Sequence, residues 1–93
     1  MRAALVGVVA PLAPELLPGL RVRRAAVSTR DARFGAAWIE LPGVGPGVAY
    51  LRRATRAGRA WRVLDLGPPR VGCGLVPDSV LRDLGGSCPP GVG

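Results

Sequence analysis

Ninety-three residues suffice for one domain with one modest core and are too few for two. An apolar fraction of 48% excludes a disordered chain, and aromatic residues make up only 4%. All 13 basic residues are Arg against six acids, and there is no His; the net charge of +7 favours anionic polymers as partners, and the missing imidazole removes the commonest general base and most nucleophilic triads. Lys, Asn and Gln are also absent, so GC-rich codon usage explains much of the Arg content without any ligand.

The chain opens on "MRAALVGVVAPLAP", one Arg followed by an apolar run from Ala3 to Ala10 that Pro11 is expected to break. Three readings of this run compete: a truncated export leader ending at the small residues "VVA", a packed N-terminal segment, and an untethered tail. No stretch approaches the roughly 18 apolar residues that a membrane-spanning helix needs. Prolines at 11, 14 and 18 leave room for about one helical turn over Pro14–Leu17. Residues 1–19 are therefore set apart as an apolar, Pro-rich segment preceding a domain at 20–88, with 89–93 as a disordered tail.

From Leu20 the pattern becomes extended. In "LRVRRAAVS" Leu20, Val22 and Ala26 share one face, with Arg24 as the misfit, and the charged positions mark an edge strand. Ser28, Thr29 and Asp31 suit a turn in which side-chain oxygens bond the backbone. "FGAAWIEL" at 34–41 reads as a strand with Trp38 and Glu40 on one side and Ala37, Ile39 and Leu41 on the other. "PGVGPG" at 42–47 is a turn. "VAYLRR" at 48–53 and "AWRVLDL" at 60–66 are strands joined by a loop of about six residues, in which Gly58 is expected at positive φ. Ala49 and Leu51 oppose Tyr50; Trp61, Val63 and Asp65 oppose Arg62, Leu64 and Leu66, and Tyr50 is expected to meet Trp61 or Val63 across the pair.

A two-turn helix ends the ordered chain. Asp78 or Ser79 caps it after Pro77, Val76, Val80, Leu81 and Leu84 form its apolar face, and Gly85 stops it. The resulting fold class is α+β: a small antiparallel sheet of three to four strands with this helix on one face.

Two cysteines flank the helix, Cys73 and Cys88, fourteen residues apart. A structural zinc site needs four ligands, so two Cys without His would need carboxylates or a second chain; no metal or other cofactor is expected. A redox pair usually has C-x-x-C spacing. A helix over 78–84 is about 10 Å long, and the residues on either side can fold back to the roughly 5.5–6 Å Cα separation of a disulfide. Closing such a loop contributes about 3 kcal/mol in the chain-entropy model. A staple, two buried thiols and a redox role stay open, with the staple preferred, and a staple implies a compartment outside the reducing cytosol.

"VSTRDARF" at 27–34, "YLRRATRAGRAWRVLDLG" at 50–67 and "VGCGLVPDSVLRDLGGSC" at 71–88 resemble a group of small proteins of high-GC, actinobacterial-type bacteria that are taken to be exported. The group shares a C-terminal G-C-x-x-V-P-x-x-V-x-x-D-L-x-x-C unit. The resemblance implies export and the Cys73–Cys88 bond, and it implies no reaction.

The acids do not assemble a reaction centre by pattern. Asp31 reads as a turn residue, Asp78 as a cap and Asp83 as helix surface, while Glu40 and Asp65 are expected to pair with Arg62 or Arg52. The Gly-rich runs lack the G-K-[ST] of a phosphate loop. A non-catalytic interaction or structural module is expected, secreted or otherwise extracytoplasmic, its ligand open. Arg52, Arg53, Arg56, Arg59 and Arg62 crowd one hairpin beside Tyr50 and Trp61, and like charges across strands cost stability that a polyanion would relieve. Candidate partners are anionic cell-envelope polymers or lipid headgroups, with nucleic acid, in the cytoplasm, the alternative.

Overall fold

The computed structural model describes residues 1–56, 58–67 and 71–86. At its centre lie β2 (Phe34–Leu41) and β3 (Gly45–Arg53), flanked by β1 (Arg21–Val27) and β4 (Trp61–Gly67) in one antiparallel sheet of order β1-β2-β3-β4. The inner strands are apolar on both sides because both sheet faces are covered. On one face Phe34, Ala36, Val48 and Tyr50 pack against Val80, Leu81 and Leu84 of the segment containing α2 (Asp78–Asp83). On the other face Ala37, Ile39, Ala49 and Leu51 pack against Leu5 of α1 (Arg2–Leu12) and against Leu20. The alternation expected for β2 and for 48–51 of β3 is the one observed.

The second helical layer is the main departure from expectation. Residues 1–19 were separable in sequence from a domain at 20–88, but Leu5 and Val9, one helical turn apart, are buried at 0% and 5% exposure. Ala3–Ala10 thus lies in a helix packed on the sheet. Pro11 does not end α1 before Leu12, since in the last turn its ring forfeits a single hydrogen bond. A 3₁₀ turn spans Pro14–Gly19, longer than the expected Pro14–Leu17.

Two register shifts revise the outer strands. Val22 pairs with Ile39 and Arg24 with Trp38, so Arg23 is an extra residue and the alternation inverts there. Val22 consequently joins the α1-side cluster and Ala26 the α2-side cluster, not one common face. In β4, Tyr50 pairs with Asp65 and Leu51 with Val63, leaving Leu64 as the extra residue. Leu66 therefore sides with Trp61 and Val63, and Tyr50 lies on the opposite face from both, so the expected aromatic contact across the pair does not form. The β2–β3 turn is tighter than 42–47, because Gly45, Pro46 and Gly47 already pair with Leu41, Glu40 and Ile39. Gly58 is not among the positive-φ residues; its N–H donates to the Thr55 carbonyl at 3.2 Å.

α2 is fixed at its C-terminal end. Gly85 has φ +87°, its N–H donates to the Arg82 carbonyl at 3.0 Å, and Gly86 N–H donates to the Leu81 carbonyl at 2.8 Å. These are the two bonds of a Schellman stop. No side chain caps the N-terminus; the Asp78 carboxylate instead pairs with Arg82 at 2.8 Å.

Candidate polyanion site

β3 and β4 place Arg52 and Arg62 directly opposite each other. Cross-strand partners share a face, and the Arg52 guanidinium lies 5.6 Å from the Phe34 ring centroid, so both arginines stand on the α2 side of the sheet. Each is exposed, as are Arg56 and Arg59 in the loop that follows β3. Among the described residues no carboxylate is within 4.0 Å of Arg52, Arg56, Arg59 or Arg62. An open depression of about 450 Å³ is lined by Arg52, Arg53, Ala54, Ala60 and Arg62.

Arg53, expected in the same group, has a different job. Its Nε donates to the Ala32 carbonyl at 2.8 Å and its Nη1 to the Gly58 carbonyl at 3.0 Å. Its guanidinium covers Trp61, 4.4 Å from the ring centroid, on the α1 side. Arg53 thus ties the hairpin loop to the β1–β2 turn, leaving Arg52, Arg56, Arg59 and Arg62 as the exposed arginines of this hairpin.

The acids are occupied in ways that sequence spacing did not show. Glu40 pairs with Arg23 at 2.8 Å, not with Arg52 or Arg62. Asp65 accepts the N–H groups of Gly72 at 2.9 Å and Leu66 at 3.0 Å, which anchors the segment leading into α2. A Cβ at Gly72 would stand 2.8 Å from the Tyr50 ring, and the residue has φ +89°, so glycine alone fits this approach. Asp31 is the expected turn residue: its Oδ1 accepts Arg33 N–H at 3.0 Å. Side-chain hydrogen bonds from Arg33 hold its pKa down to about 2, with a smaller contribution from the charge of Arg56.

Asp83, expected as plain helix surface, is the latch between α2 and the sheet. Its carboxylate accepts Ser28 Oγ–H, Thr29 N–H and Thr29 Oγ1–H, each at 2.7 Å. The Thr29 and Ser28 hydroxyls lower its pKa to about 2. Ser28 is 3% exposed, and its Oγ also accepts the N–H groups of Arg30 and Asp31 at 3.1 and 3.2 Å. A 55-residue separation hid this contact from any reading of local pattern; the available signal was the turn chemistry of 28–31, which left one hydroxyl donor in need of an acceptor.

Cys73 sits in the turn over 71–76, half-buried against the α2-side cluster. Cys88, the expected Cys73–Cys88 bond and the tail at 89–93 lie outside the described residues. Among the described residues no group of three or more His, Cys, Asp or Glu side chains is placed to hold a metal ion, and no helix is long and apolar enough to cross a membrane. Comparison of the chain with known protein families, with curated proteins and with solved structures finds no match.

Proposed function

We propose that this protein is a non-catalytic, exported interaction module that holds an anionic polymer on the Arg52–Arg62 side of its β3–β4 hairpin. The observation that carries the reading is the direct pairing of Arg52 with Arg62, neither ion-paired within the described residues. Like charges facing each other across a sheet are destabilising, and an anion between them removes that cost. Cell-envelope polymers or lipid headgroups supply such charges outside the cytoplasm; nucleic acid is the second reading, for a chain retained inside. Export rests on the Cys73–Cys88 disulfide, which also belongs to this proposal; the absence of a free cysteine among the described residues supports it.

The test of binding is titration of the full chain with inorganic polyphosphate at several salt concentrations. Four arginines on phosphate weaken binding about 50-fold between about 50 and about 200 mM salt, if each contact carries a slope of about −0.7. The variant with Arg52→Gln and Arg62→Gln binds more weakly, and its loss over the same range falls to about 7-fold. No binding at the low-salt end, or equal slopes for the two proteins, overturns the reading. For the export half, intact mass of material from the native host shows a deficit of two hydrogens; full thiol mass refutes the disulfide.

A further inference from the structure

Resting on that reading of the hairpin as an anion site, we infer that its ligand is a polyanion recognised by charge alone, a chain of phosphates or phosphodiesters, and not a single-stranded nucleic acid held by its bases. The four aromatic side chains of the protein all lie among the described residues. Proteins that hold single-stranded nucleic acid combine a basic groove with exposed rings on which bases stack. Here every ring is either buried or has a guanidinium over it. Tyr50 is 2% and Phe34 5% exposed, both within the α2-side cluster. Arg52 leans toward what remains open of Phe34.

The two indoles are half-buried, each packed against a core cluster and each with a guanidinium over its ring. Trp38 packs against the α2-side cluster and carries Arg24 at 4.7 Å from its ring centroid. Trp61 packs against the α1-side cluster and carries Arg53 at 4.4 Å. Arg53 is further held by the carbonyls of Ala32 and Gly58, so uncovering Trp61 breaks two hydrogen bonds as well as the cation–π contact. Trp61 also lies on the sheet face opposite Arg52 and Arg62. The indole on the arginines' own face, Trp38, stands four residues along β2 from Phe34, the partner of Arg52, and lies under Arg24. The positive charge is available and the stacking platform is not.

The experiment compares two ligands with the same backbone and different bases: oligo(dT) of about 16 nucleotides and an abasic oligomer of equal length and charge. Binding to the full chain is measured at low salt with intrinsic tryptophan fluorescence recorded alongside. The expected result is equal affinity within about twofold and unchanged indole emission, because one stacked base alone confers about fivefold or more. Preference for oligo(dT) of about tenfold with quenching overturns this inference while the polyanion reading stands. Failure of both oligomers to bind removes the polyanion reading, and this inference falls with it.

Discussion

Replacing Leu5 with Ala decides whether the first helix belongs to the folded protein. Leu5 is 0% exposed and sits among Leu20, Ala37, Ile39, Ala49 and Leu51, so truncation removes buried methyl groups and leaves a void between α1 and the sheet. Substitutions of this kind cost about 2–5 kcal/mol, a large share of the about 5–15 kcal/mol that holds a domain folded. In a chain of this length each kcal/mol moves the midpoint by roughly 4–8 °C, so Leu5→Ala is expected to lower Tm by at least roughly 8 °C. The internal control is Leu12→Ala on the same helix, where the side chain is 81% exposed; its effect stays within about 0.5 kcal/mol. Thermal and urea unfolding of the full chain, followed by circular dichroism, gives both numbers. Equal midpoints for the two variants would show that α1 is not seated on the sheet.

Two further substitutions probe the other face. The folded pKa of Asp83 is lowered from 3.8 to about 2, so its contribution to stability is fully present above the ordinary carboxylate range and is lost as pH falls from about 4 toward about 2. Asp83→Asn is expected to lower the urea midpoint near neutral pH and to flatten part of the acid limb, with Asp31, shifted in the same direction, keeping the remainder; superimposable pH profiles would contradict the latch. Gly85→Ala places a Cβ at φ +87° and costs about 1–2 kcal/mol in the same unfolding assay, and no change would mean that the Schellman stop does not govern the end of α2.

The inner strands were legible because their signal is local. Ala37, Ile39 and Leu41 alternate with Trp38 and Glu40, and no neighbour alters that period. The outer strands were less so, since a one-residue insertion in the ladder reverses every later side chain. Arg24 was the symptom: an Arg on the apolar face of β1 is explained once Arg23 is extra and Arg24 rests on Trp38. The α2 face and its glycine stop follow from i, i+4 spacing and were readable in full. The docking of α1 was not, since a short apolar run looks the same whether it meets a sheet, a bilayer or a signal receptor. At the candidate site, sequence gathered five arginines by proximity, and the strand pleat then divided them, sending Arg53 to Trp61 and Arg52 with Arg62 to the other side. Asp83 and Ser28 were beyond reach for the opposite reason, being distant in sequence and joined only by the fold.

The misaligned residues Arg23 and Leu64 fall in the two border strands of the sheet, one on each side. A sheet grows into a fibril when its rim offers a straight row of amides and carbonyls to the next molecule. Here each rim is kinked, and three arginines crowd the first of them. Under the proposed binding to a polymer, many copies would meet at high local density, and a register shift at each rim opposes their zipping into one continuous sheet.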